Sequence, residues 1–166
     1  LIHDLLLLAE LGESKPVNFA EVDFDELVKA HLNDFQVLNK SRIVTTEIPD
    51  DCFVQGSREH LSRLIQNCLS NILRHTPSDA PVSVSLRNIG KRAELKIEDG
   101  GPGLPESAYG SEIKFMNRFD PSRSRESGGS GLGLSIIAAI VQEHNGQLEL
   151  SKSQLGGLAV TIRIPN

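Results

Sequence analysis

Two pairs of alternating segments, each folded back about glycine, constrain this chain most. Residues 81–88 and 92–98 set apolar and polar side chains in turn on either side of Gly90, and residues 147–151 and 158–164 do the same across Gly156-Gly157. A period of two marks strands that bury one face, and a short glycine-bearing connection makes the partners antiparallel. Helical periods surround them. Leu27, Val28, His31, Leu32, Phe35 and Leu38 recur at three- and four-residue steps across residues 25–39, uninterrupted by Gly or Pro. Ser57 is a good N-cap for a second helix, whose Leu61, Leu64, Ile65, Cys68, Leu69 and Ile72 trace one buried stripe. Residues 132–144 form a nearly all-apolar helix closed by Asn145-Gly146. Residues 42–48 alternate and are β-branched, Pro49-Asp50-Asp51 is a turn, and residues 52–55 return as a short strand, so a further hairpin is expected there. Helices segregated from strands predict an α/β (α+β) two-layer sandwich. Its sheet is mixed, largely antiparallel and of about five strands, covered on one face by about three helices.

With 166 residues and 39% apolar composition, the chain suffices for one core and is short for two domains. Its 22 acidic against 17 basic side chains leave no broad basic surface, which argues against nucleic acid as a partner. Cys52 and Cys68 fit no metal-ligand spacing and read as reduced thiols in a core. No apolar run approaches the ~18 residues that span a bilayer, and the run at residues 5–9 is flanked by Asp4 and Glu10. The chain is expected to be soluble as it stands. It has no initiator Met and opens mid-pattern at Leu1, so it reads as part of something longer. Residues 1–11 have helical character and are ended by residues 12–16, GESKP.

Three constellations carry chemistry. On the helix capped by Ser57, Asn67, Asn71, Arg74 and His75 fall at i, i+4, i+7 and i+8 and share a polar stripe beside the apolar one. Carboxamide oxygens are hard, neutral ligands that suit Mg²⁺ when phosphate oxygens and water complete the octahedron, and Arg74 can reach a phosphate. Residues 99–103, DGGPG, follow a strand, and their glycines let backbone approach a flat ligand closely. Asp99 would accept a hydrogen bond from the exocyclic amine of adenine and repel the carbonyl of guanine, which predicts a preference for ATP over GTP. Residues 128–134, GGSGLGL, open the apolar helix, so free amides and the positive end of its dipole face an anion. No Gly-Lys-Ser/Thr is present, so this is not a P-loop. Arg118, Arg123 and Arg125 lie just upstream, within an irregular stretch, residues 99–131, that has only a weak helical hint over residues 108–119.

Together, in this order, the three resemble the ATP-binding domain of bacterial sensor histidine kinases. Residues 64–77 (LIQNCLSNILRHTP) resemble that family's Asn box, residues 99–103 its first glycine box and residues 129–134 its second. Residues 120–134 (DPSRSRESGGSGLGL) are similar to the link between its Phe box and that second glycine box. The resemblance covers about residues 17–166, and the start of the chain looks like the end of the second dimerisation helix. It divides the chain into residues 1–15, helix remnant and linker, and residues 16–166, the catalytic domain. It implies Mg²⁺ coordination by Asn67 or Asn71 and adenine recognition by Asp99. The ATP contacts it implies are Asn67, Asn71, Arg74, His75, Asp99, Gly101, Gly103, Leu104, Arg118, Arg123, Arg125, Gly129, Ser130, Gly131, Leu132 and Gly133. The last five would belong to a long mobile lid over the phosphates. His75 stands where the family usually has Tyr or Phe. Ile113 and Met116 fall where two Phe are typical if Arg118 is the Phe-box Arg; alternatively Phe115 and Phe119 are those aromatics in a shifted frame.

The resemblance implies a kinase that passes the ATP γ-phosphate to a histidine on a separate dimerisation domain. No His-Glu-Leu-Arg-Thr-Pro-like acceptor sequence is present, and His3 precedes Asp4 and Leu5, so no phosphoacceptor is expected here. The partners implied are that dimerisation domain, a response regulator and, in the full-length protein, a second copy, the isolated fragment being monomeric. The setting implied is the cytoplasmic part of a membrane-anchored kinase. Rival readings are a gyrase- or chaperone-like ATPase, a serine-directed kinase of the anti-sigma type, and a degenerate interaction module. The ATPases carry a Glu where Asn67 stands, and an amide is no general base.

Overall fold

The computed structural model describes residues 2–12, 18–109 and 133–166. Helix α1 (Ile2–Gly12) leads to strand β1 (Ala20–Asp23), helix α2 (Phe24–Leu38) and strands β2 (Val44–Glu47) and β3 (Phe53–Gly56). Helix α3 (Arg58–His75), strands β4 (Val82–Ile89) and β5 (Arg92–Asp99), helix α4 (Gly133–Glu143) and strands β6 (Gln147–Lys152) and β7 (Leu158–Pro165) follow. Five strands form a sheet in the order β2-β4-β5-β7-β6, with β2 parallel to β4 and every other pair antiparallel. Strands β1 and β3 form a separate antiparallel pair.

The register explains the layers. Val84, Ile97, Val160 and Leu150 lie side by side across four strands, as do Leu86, Leu95, Ile162 and Leu148. Most of these are buried, whereas the alternate positions are Ser83, Ser85, Arg87, Lys96, Glu98, Arg163 and Glu149. One face is therefore apolar and takes the helices; the other stays polar. Helix α3 buries Leu61, Leu64, Ile65, Cys68, Leu69 and Ile72 in that core, with Ser57 accepting from the His60 amide at its N-terminus. Helix α4 buries Ile136, Ile137 and Ile140 completely and packs on β6, β7, α3 and α1. Its all-round apolarity is thereby explained, because Leu8 of α1 covers what would otherwise be its outer face. Asn145 at φ 55° and the Gly146 amide bonded to Val141 close the helix.

The hairpin expected over residues 42–55 does not form. The Pro49-Asp50-Asp51 turn exists, with Asp51 at φ 60°, but β2 pairs with β4 and β3 with β1. The cause is a tie to α2: the Phe24 amide donates to Cys52 O at 2.8 Å, and the Cys52 amide donates to Asp25 Oδ1 at 2.8 Å. Nothing in the spacing of residues 20–23 marks β1 as a strand. Both cysteines are buried and free, and burial pushes Cys52 up to about 11 and Cys68 up to about 12, so neither is a thiolate at neutral pH. No described helix is long and apolar enough to cross a membrane.

His144 pins several of these elements. Its Nδ1–H donates to Ile140 O at 2.7 Å, its Nε2 accepts from the Ser57 amide at 3.1 Å, and its ring stacks on Phe19 with centroids 4.7 Å apart. This arrangement uses the neutral ring. Burial accordingly holds its pKa below the ordinary histidine range, and the same holds for His31. Below the unfolded-state value, about 6.5, the unfolded chain binds protons that the folded chain refuses, so stability falls as pH drops. Denaturation midpoints measured from pH 7.5 to 5 should decline, and His144→Gln should make that decline shallower. An equal slope in both proteins would exclude His144 as a source.

Candidate functional site

The polar stripe of α3 faces a cavity of about 410 Å³, whose lining includes Asn67, Asn71, Arg74 and Gly133. A neighbouring opening of about 580 Å³ is lined by Arg74, His75, Thr76, Pro77, Gly100, Gly101 and Pro102. Arg74 borders both, so the two are parts of one region along the helix. Gly133 lies so close to α3 that a β-carbon there would sit 2.7 Å from Asn71 Oδ1. Asn67 Nδ2 is buried with no hydrogen-bond partner. A carboxamide turned over presents its oxygen in the same place, so Asn67 and Asn71 fit the role of neutral oxygen ligands. Among the described residues no three His, Cys, Asp or Glu side chains gather as a metal site.

Asp99 ends β5 on the core face and is 7% exposed. Its Oδ1 accepts from the Gly101 amide at 2.9 Å and the Leu158 amide at 3.3 Å, and its carbonyl accepts from the Gly157 amide at 3.1 Å. The other carboxylate oxygen, Oδ2, meets no donor among the described residues. The carboxylate is thus fixed by backbone donors on one side and keeps an acceptor for a ligand on the other. Beyond it, Gly103 at φ 74° turns the chain, and the Leu104 amide donates to Tyr109 Oη at 2.8 Å. That phenol occupies the space a Gly103 side chain would need, at 2.6 Å from a β-carbon built there.

The structure therefore gathers Asn67, Asn71, Arg74, His75, Gly101 and Gly133 along one region; Asp99 lines neither opening and stands behind Gly101, whose amide it holds, with Gly103 and Leu104 on the turn beyond it. Arg118, Arg123, Arg125, Gly129, Ser130, Gly131 and Leu132, and both Phe-box frames, lie outside the described residues. Sequence reasoning missed Gly157 and Tyr109. Gly157 was visible only as half of a hairpin turn, and Tyr109, the chain's one tyrosine, sat in a stretch with no period.

Residues 56–166 match the family described as "Histidine kinase-, DNA gyrase B-, and HSP90-like ATPase". Over 99% of its length the chain is 31% identical to the probable sensor histidine kinase TcrY of Mycobacterium tuberculosis, covering 35% of that protein. Over 71% of its length it is 36% identical to the signal transduction histidine-protein kinase BaeS of Escherichia coli, covering 25% of it. The chain thus spans about a third or less of these two relatives. Among solved structures, the mycobacterial sensor histidine kinase MprB is 29% identical, with a TM-score of 0.75 over 89% of this chain and 97% of that one. The nucleotide-free catalytic domain of histidine kinase ThkA is 21% identical with a TM-score of 0.74 over 90% of this chain and 96% of that one, a likeness of fold alone.

A β-carbon on Gly157 would lie 2.1 Å from Asp99 Oδ1, 2.7 Å from Asp99 O and 2.7 Å from the Gly101 nitrogen. Two of these neighbours are backbone and cannot swing aside. Gly157→Ala should cost about 3 kcal/mol or more, lowering Tm by roughly 6–12 °C for a chain of this size. Differential scanning calorimetry checks it, and an unchanged Tm would refute the close approach.

Proposed function

This chain belongs to the histidine kinase-, DNA gyrase B- and HSP90-like ATPase family, and on that premise we propose that it is the ATP-binding catalytic part of a two-component sensor histidine kinase. Its task would be to position the γ-phosphate for a histidine on a separate dimerisation domain. The observation that carries this reading is the convergence of Asn67, Asn71 and Arg74 with Gly133 and the Asp99 turn. The adenine amine would donate to the open oxygen of Asp99, Gly101 and Gly103 would let the ring approach backbone, and Arg74 would meet phosphate. Asn67 and Asn71 would hold Mg²⁺, which when bound neutralises charge on the phosphate oxygens. His75, Leu104, the arginines 118, 123 and 125, and residues 129–132 complete the proposed set of contacts.

The same residues favour phosphoryl transfer over hydrolysis. A hydrolase of this family needs a carboxylate to activate water, whereas position 67 carries an amide and the single acid of α3, Glu59, lies in its first turn. The partners proposed are the dimerisation domain of the same protein, where a second copy would also join, and a response regulator. The proposed setting is the cytoplasmic side of a membrane-anchored kinase.

Calorimetry with a non-hydrolysable ATP analogue and Mg²⁺ tests the reading. The chain should bind, and Asp99→Asn should weaken binding about ten- to a hundredfold, as expected for losing a hydrogen bond to a charged acceptor. No binding by the unmutated chain would sink the proposal. Incubated alone with ATP, the chain should form no acid-labile phosphohistidine; its appearance would place an acceptor within these residues.

A further inference from the structure

Arg42 precedes the exposed edge strand β2, where an arginine ordinarily extends into water, yet it is only 8% exposed. It has no ion-pair partner among the described residues, and its Nε is buried without a hydrogen bond. A buried guanidinium is costly, and an apolar side chain of similar volume is often as stable or more so, so core stability alone does not explain it. What Arg42 does make is a pair of bonds from Nη1, to Thr76 Oγ1 at 2.9 Å and to Ala80 O at 3.1 Å. Thr76 caps the C-terminus of α3, where the helix dipole favours a cation, and its hydroxyl donates to Ile72 O at 2.6 Å. The hydroxyl proton is thus committed, and a lone pair is turned to Arg42.

Both ends of this clamp press on the turn that carries Asp99. A β-carbon on Gly101 would lie 2.5 Å from Thr76 Cγ2, and one on Gly100 would lie 2.6 Å from Pro81 Cδ. The Gly100 amide donates to Pro81 O at 3.0 Å, and the Gly101 amide donates to Asp99 Oδ1. We propose that Arg42 is a positioning residue of the nucleotide site. Its guanidinium ties Thr76 and Ala80 into one wall that fixes Gly100-Gly101 and, through the Gly101 amide, aims the Asp99 carboxylate at the base. The opposite side of Asp99 is held by Gly157 and Leu158, so the wall supplies the half of the frame that the β6–β7 connection cannot. Arg42 touches no ligand in this account and acts only through Thr76 and Ala80.

This inference rests on the nucleotide reading above, and its test separates the two. The probes are adenosine, which reports the base end, and Mg²⁺ with inorganic triphosphate, which reports the phosphate end. Thr76→Val keeps the methyl group against Gly101 and loses the bond from Arg42; Thr76→Ser keeps the bond and loses the methyl. Arg42→Gln removes the clamp at its source. Arg42→Gln and Thr76→Val should each weaken adenosine binding about tenfold and leave triphosphate binding unchanged. The double variant should be no weaker than either single one, because both break the same link. Thr76→Ser, which keeps the bond from Arg42 but removes the methyl that meets Gly101, should also weaken adenosine binding and leave triphosphate binding unchanged, because the wall then no longer reaches the turn. If Arg42→Gln does not fold, Thr76→Val, nearly isosteric, carries the test alone. Adenosine affinity unchanged in a folded Thr76→Val chain overturns the positioning role, even if Tm falls. Equal losses at both ends overturn it too. An unmutated chain that binds neither probe overturns the nucleotide reading and this inference with it.

Discussion

Asp99 occupies the last inward position of β5, in line with Ala93, Leu95 and Ile97, where the period of the strand calls for an apolar side chain. A carboxylate buried there, with no cationic side chain bonded to it among the described residues, is tolerable only if fixed donors replace water around it. Those donors are the amides of Gly101 and Leu158, one from the turn that follows the strand and one from the start of β7. Each must come close, and each can because a glycine lies beside it. The position of β7 against β5, the shape of the turn and the carboxylate proposed to read the base are therefore one arrangement.

The polar stripe of α3 is held by the same economy of elements. Its apolar face is buried in the common core and against α2 and α4, which fixes the rotation of the helix and therefore the direction of Asn67 and Asn71. Gly133 lets the start of α4 come up against Asn71, while Ile136, Ile137 and Ile140 a turn later enter the core. Packing and site geometry are thus set by the same residues. Stability and ligand affinity should move together for most core substitutions, which is why probes of the two ends of the nucleotide are more telling than affinity alone.

Much of this was legible because it is local. The hairpins about Gly90 and Gly156-Gly157, the stripes of α2 and α3, and the capping Ser57 follow from spacing, and residues 99–103 with Asn67 and Asn71 follow from chemistry at that spacing. The failures are long-range. The strand at residues 53–56 left its expected partner because Cys52 is bonded to Phe24 and Asp25, almost thirty residues earlier. β1, four residues with one buried side chain, gives no period to read. Gly157 reads in sequence only as a turn residue, and the fold brings it onto Asp99. Arg42 carries no signal at all in sequence, since an arginine before Ile43 and Val44 is ordinarily solvated.

On the open face of the sheet the charges pair with one another. Glu94 there is bound by Arg87 and by Arg163, which also reaches Glu149 on β6, so the network crosses four strands. The hydrogen bond from Arg87 foremost, aided by Arg163 against the cost of burial, holds the Glu94 carboxyl below the usual range. Its charges satisfy one another at the surface. Asp99 differs from Glu94 in that one respect: both are acids of β5, but the second is neutralised by side chains and the first is held by neutral amides. Among the described residues Asp99 is met by amides on one oxygen alone, which leaves the other free to accept from a donor outside. That contrast within a single strand, rather than burial alone, separates the carboxylate proposed to bind from the structural one.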